Sequence, residues 1–307
     1  MSSGFGPLAN FVGRQTHVPA DDPFGLVHAY ASYLDNVTEE PRTGFHVSSL
    51  FRFCPVEWCL NQVLKKPKKI PYRLRFRFDI GHSLHTMIQN HFGGMGILKG
   101  FWRCGNGHET DKVGFRPEKC HACESKSFSY KEIRVEDLQY GIVGRTDGVL
   151  SLDGEDVGLE IKSVDTNGLN MFQTAPGYAS SQLNVYAHLL RQSLFPELKR
   201  GVILLAALSD KDSVLLPVKT FVCEYTDAPW KEAIKRVQCA RNLFDQYKRG
   251  ELSVPDLISF RSCATKSVGR QAGCIVCDEC FSTPTLSKLI GEGDKNADKN
   301  PETQHPG

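Results

Sequence analysis

Residues 142–164 read IVGRTDGVLSLDGEDVGLEIKSV, and the fold turns on how this stretch is parsed. Ile142 to Leu152 and Val157 to Val164 have the composition of two β-strands. Asp153-Gly154-Glu155-Asp156 between them is a hairpin signal. Residues two apart on a strand share a face, so Glu160 and Lys162 point the same way. With the turn centred on Gly154-Glu155, position 147 faces position 162 and position 149 faces position 160. Asp147 then lies diagonal to Glu160 on one face, within reach of a single ion. A slip of one residue would carry Asp147 to the other face. Two carboxylates and the backbone carbonyl of Ile161 make an all-oxygen donor set suited to Mg²⁺ or Mn²⁺. Lys162 beside them can orient a water or stabilise developing negative charge. The ordinary alternative is a solvated hairpin with a Glu160–Lys162 ion pair.

Working outward, His46 to Leu64 and Gly81 to Phe92 read as helices, with Ser48 or Ser49 as a cap for the first. Tyr130 to Tyr140 alternates like a strand. Tyr178 to Phe195 is helical, Val202 to Leu208 and Val214 to Tyr225 are strands, and Pro229 to Lys248 is a long amphipathic helix. This order predicts an α/β fold with a mixed sheet. Residues 1–44 read as a loose lead-in, and residues 283–307 as a polar, disordered tail.

The chain has 307 residues and a net charge of +2, which excludes a uniformly basic nucleic-acid protein and leaves only local patches. No apolar run reaches the length of a membrane span, and the N-terminus has no export signal, so a cytoplasmic location, bacterial or in a host cell, is expected. Eleven cysteines in a chain without an export signal point to metal rather than disulfides.

Two cysteine groups stand out. Cys104-Gly-Asn-Gly-His108 and Cys120-His-Ala-Cys123 are two short-spaced ligand pairs, as in a zinc ribbon, and predict a Cys₃His structural zinc site within residues 100–128. His121 is a weaker ligand candidate than His108. Cys54 lies early, while Cys263, Cys274, Cys277 and Cys280 crowd the end of the chain. The late four could form a zinc site of their own. Cys59, Cys223 and Cys239 have no partner pattern and read as small buried residues.

Gly81-His-Ser-Leu-His85 precedes the hairpin, and Gln182-Leu-Asn-Val-Tyr186 follows it with Gln and Tyr on one helical face. The order His85, Asp147, Glu160-x-Lys162, Gln182-x₃-Tyr186, with Phe53-Cys-Pro55 ahead and a cysteine cluster at the end, resembles the RecB-like branch of the PD-(D/E)XK nuclease superfamily. In particular it is similar to the CRISPR-associated and AddB-type exonucleases that carry an iron–sulfur cluster. The resemblance spans Ser48 to Cys280. It implies a restriction-endonuclease-like core over residues 45–282, with the zinc ribbon inserted. It also implies His85, Asp147 and Glu160 as metal ligands, Lys162 as the catalytic lysine, and Gln182 and Tyr186 as positioning residues. A 4Fe-4S cluster would sit on Cys54, Cys274, Cys277 and Cys280, with Cys263 as a substitute ligand. The late spacing departs from the family's Cys-x₂-Cys-x₅-Cys, which leaves the choice of four open.

Residues 65–77 carry seven positive charges, no acid, and interleaved aromatics, the composition of a nucleic-acid contact; a solubilising loop and edge strand is the alternative. The expected function is a Mg²⁺- or Mn²⁺-dependent deoxyribonuclease, an exonuclease acting on single strands or ends in repair or recombination, with a possible helicase or recombination partner. The alternative is a catalytically silent, metal-braced DNA-binding scaffold.

Overall fold

The computed structural model describes residues 25–39, 44–52, 54–65, 68–207, 218–261, 276 and 280–281. The chain divides into two compact units, Met1–Pro41 with Lys65–Ile80, and Arg42–Leu64 with Gly81–Gly307.

In the first unit, helix α1 (Leu26–Asn36) leads to strand β1 (Thr38–Glu39). β1 pairs antiparallel with β3 (Lys68–Lys69). The start of α3 (Tyr72–Gly94) is tied back to α1 through the Tyr72 amide, which donates to Asp35 Oδ1 at 2.6 Å. α3 begins nine residues before the expected Gly81. Pro71 sits at its N-terminus, and Arg and Leu carry good helix propensity, so the alternating Arg-Leu-Arg-Phe pattern does not become a strand.

The second unit is an α/β fold of mixed sheets flanked by helices. Its elements in chain order begin with β2 (Phe45–His46), α2 (Pro55–Leu64), β4 (Leu98–Lys99), β5 (Phe101–Cys104), β6 (Phe128–Lys131) and β7 (Ile133–Asp137). They continue with β8 (Ile142–Thr146), β9 (Gly148–Leu152), β10 (Glu155–Val164), α4 (Thr166–Met171), α5 (Gly177–Ser193) and β11 (Arg200–Ala207). The last are β12 (Val218–Glu224), α6 (Ala228–Lys248) and α7 (Val254–Ser259). A five-stranded sheet has the order β12-β11-β10-β9-β4, with β10 and β11 parallel and the other pairs antiparallel. A three-stranded sheet has the order β2-β8-β7, and β5 and β6 form a separate ribbon.

Leu84 and Ile88 of α3 pack with Leu159, Ile161, Leu204 and Ala206 on one face of the large sheet. Ala179 and Leu183 of α5 pack with Ile203, Leu205 and Ala207 on the other. Gly158 and Gly201 lie under Leu183, and a Cβ on Gly201 would come within 2.7 Å of it. The far side of α5 joins α6 and the small sheet in a core that includes Ile133, Ile142, Leu190 and Val237.

Four expectations are corrected. The helix expected from His46 starts only at Pro55; proline suits the first helical position and bars the preceding Cys54 from the helical region. Ser49 Oγ correspondingly donates to the His46 carbonyl rather than capping that helix. The strand expected over 142–152 breaks at Asp147, and that over 130–140 breaks at Glu132, because each half joins a different sheet. The hairpin turn is Asp153-Gly154, with φ of 50° and 82°, one residue earlier than expected. Both central positions of such a turn need positive φ, which Asp-Gly adopts more cheaply than Gly-Glu. No helix among the described residues is long and apolar enough to cross a membrane.

Candidate functional site

β9 and β10 pair down to Gly148 and Leu159, so one further step sets Asp147 opposite Glu160 rather than opposite Lys162. Asp147 occupies the bend where the chain leaves the small sheet for the large one. Gly148 makes that bend possible, since a Cβ there would lie 2.5 Å from Leu98 Cδ1. Asp147, Glu160, Lys162, His85, Gln182 and Tyr186 all line one cleft of about 700 Å³. His85 comes from α3, the acids and lysine from the hairpin, and Gln182 and Tyr186 from one face of α5.

The groups interlock. His85 Nδ1 lies 3.1 Å from Asp147 Oδ1, and the Ile161 amide donates to Asp147 Oδ2 at 2.6 Å. Ile161 itself points away, fully buried against Leu84 and Leu98. Lys162 Nζ lies 2.5 Å from Glu160 Oε1 and donates to Gln182 Oε1 at 2.9 Å. Glu160 Oε2 is buried with no hydrogen-bond partner among the described residues. Burial, and then the charge of Asp147, push the Glu160 carboxyl up to about 8 against the opposing pull of Lys162. Burial alone would lower His85, but the hydrogen bond and charge of Asp147 outweigh it and hold the imidazole above its usual value. Burial raises Tyr186, whose ring packs so closely on Gly144 that a Cβ there would meet Cε1 at 2.6 Å.

Two residues that bear on the site were missed by sequence analysis. Gln89 is buried on α3 one turn beyond His85, and its Nε2 donates to the Asp147 carbonyl at 3.0 Å. Glu132 stands at the break between β6 and β7 and lines the same cleft. Burial and then Asp147 raise its carboxyl above the usual range. The spacing of Gln89 from His85 on a helix face could have pointed to the former. Only the sheet switch brings in Glu132.

Cys104, His108, Cys120 and Cys123 bring their ligand atoms within 4.8 Å of one another, a group that could hold a metal ion. Among the described residues no other cluster of three or more His, Cys, Asp or Glu does so. Cys104 Sγ lies 3.5 Å from His108 Nδ1 and 3.6 Å from Cys123 Sγ, and Cys120 Sγ lies 3.8 Å from His108 Nδ1. Tetrahedral zinc with Zn–S of about 2.3 Å and Zn–N of about 2.0 Å requires separations of about 3.5–3.8 Å. Each ligand pair sits on a tight turn. Gly107 (φ 90°) closes the first, with its amide on the Cys104 carbonyl, and Glu124 (φ 56°) closes the second, with its amide on the Cys120 carbonyl. The Ser125 backbone amide lowers the Cys123 thiol to about 6, and the Cys123 and Cys104 thiols raise His108. His121 is not in the cluster. Trp102, 1% exposed, anchors the ribbon by donating from Nε1 to the Gly114 carbonyl and packing on Gly93 of α3.

Cys54 and Cys280 share an apolar cluster with Val56, Leu60, Ile258 and Val276. Cys263, Cys274 and Cys277 lie outside the described residues, as do the expected tail and most of the lead-in. Cys59 is buried, its thiol pushed up to about 12 by burial, but Cys239 lies on the exposed face of α6, contrary to expectation. In the basic stretch, Phe76 and Phe78 of α3 are about half exposed. No protein-family model and no curated protein matches the chain.

Proposed function

We propose that this chain is a Mg²⁺- or Mn²⁺-dependent deoxyribonuclease with a restriction-endonuclease-like core. One observation carries the reading: Glu160, 1% exposed and with an unpartnered Oε2, lines the same cleft as Asp147, His85 and Lys162. A buried carboxylate oxygen without a donor fits a cation. Asp147, Glu160 and His85, whose ligand atoms do not all lie within 4.8 Å of one another in this structure, would have to close on the ion, which when bound would supply Lewis acidity to a phosphodiester oxygen and acidify a water. Lys162, steadied by Gln182, would orient the attacking water or stabilise the negative charge that develops on the phosphate. Gln89 holds the Asp147 backbone and so fixes the angle at which that carboxylate enters the cleft. Tyr186 closes the floor against water.

The Cys104-His108-Cys120-Cys123 group is read as a structural zinc site, on its ligand separations. Cys54 and Cys280 are read as two ligands of a 4Fe-4S cluster completed by the late cysteines, on their shared apolar setting and the ligand chemistry of such clusters. Single strands or ends of DNA are the proposed substrate.

The test is oligonucleotide digestion by anaerobically purified full-length protein with Mg²⁺ or Mn²⁺. The wild type should cut, and Asp147→Ala and Lys162→Ala should each lose at least about a hundredfold in rate. No cutting by cluster-intact wild type would leave the silent-scaffold reading. Iron and zinc analysis with a visible absorption spectrum on the same preparation tests the two other metals. Zinc without iron would overturn the iron–sulfur reading alone.

A further inference from the structure

A second cavity, of about 450 Å³, adjoins the carboxylate cleft and shares His82, Glu132, Arg134 and Arg145 as its dividing wall. Its other walls are Thr86 and Asn90, on the same face of α3 as His82, and Phe101, Ser129, Tyr130 and Lys131 of the ribbon strands β5 and β6. The Cys/His ribbon therefore builds half of a cavity that opens beside the candidate reaction centre.

Arg134 and Arg145 are direct partners across the β7–β8 pair, both exposed. Like charges opposed on neighbouring strands destabilise a sheet. Arg134 is offset by Glu136 at 2.7 Å, and Lys131 by Glu109 at 3.1 Å. The Arg145 side chain makes no ion pair or hydrogen bond among the described residues. A pair held at that cost, with one guanidinium uncommitted at the divide between two cavities, suits a bridging phosphate. Beyond it, Phe101 and Tyr130 offer half-buried aromatic surface, and Thr86, Asn90 and Ser129 offer hydrogen bonds, which suits an unstacked base. Glu132 and Glu109 are the acids on these walls. They disfavour a second phosphate deep in the cavity and leave the Arg pair as the anion point.

We infer that the ribbon-walled cavity is a subsite for the nucleotide flanking the scissile position of single-stranded DNA, with its phosphate on Arg134 and Arg145. The inference rests on the nuclease reading for the meaning of the neighbouring cleft, but its test does not need cutting. Fluorescence anisotropy with labelled oligothymidylate, using full-length protein without added Mg²⁺ or Mn²⁺, reads binding directly. Arg145→Ala, and Asn90→Trp, which fills the cavity, should each weaken binding about tenfold. Both should retain wild-type zinc content and a wild-type melting temperature, which separates lost binding from lost folding. Wild-type oligonucleotide affinity in both variants overturns the subsite. So does competition by inorganic polyphosphate as effective as that by unlabelled oligothymidylate, which reduces the wall to a general anion patch. Binding that falls in both variants while the wild type cuts nothing supports the subsite and defeats the nuclease reading.

Discussion

Glu160 is enclosed in the protein with one oxygen unanswered, so its negative charge costs free energy that a bound cation would offset. Its carboxyl titrates at about 8 in the fold, against an ordinary value of 4.5. Between these values the folded chain keeps a proton that the unfolded chain has lost. The stability from this group is complete below the lower value and is lost as pH rises through the upper one. Thermal melts of zinc-loaded protein without added Mg²⁺ or Mn²⁺ should therefore show wild type falling below Glu160→Gln progressively from about pH 4.5 to about pH 8. Below the upper value, Mn²⁺ binding should release a proton, which calorimetry in buffers of different ionisation heat will register. A flat difference between the two proteins would mean that Glu160 is ionised throughout. The Glu160–Lys162 pair was visible as a two-residue strand spacing. The raised titration was not, because it depends on Asp147 and on everything that excludes water from the site.

At the level of elements, the presence of the β9–β10 hairpin, α5 and α6 was legible because each is a local pattern of turn residues or helical periodicity, whereas the hairpin's register was off by one turn position. The breaks at Asp147 and Glu132 were not. An alternating run looks the same whether it stays in one sheet or passes between two. Those breaks shape the site, since they turn Asp147 and Glu132 toward α3. Gly144 belongs to this level as well: β8 approaches α5 closely only because that residue has no side chain to strike Tyr186. Gly144→Ala should cost about 1–3 kcal/mol in urea unfolding and should displace Tyr186. An unchanged midpoint would show that the contact relaxes freely.

Across the whole molecule, the β5–β6 ribbon forms no backbone ladder with either larger sheet and has its own metal-ligand group. Its order should depend on that metal separately from the main core. Zinc chelation should speed amide exchange over residues 101–104 and 128–131 by orders of magnitude and leave the buried amides of α5 protected. Loss of protection in α5 as well would mean that ribbon and core unfold together.

The ligand pairs of the ribbon, the hairpin, and helices α5 and α6 could be read from residue order alone, because every interaction that defines them spans only a few positions. The hold of Gln89 and the Ile161 amide on Asp147, the third acid at Glu132 and the Arg134–Arg145 divide came only with the folded chain. They depend on which strands share a sheet, and that is set by burial of side chains far apart in the chain, a competition that no short stretch of residues records.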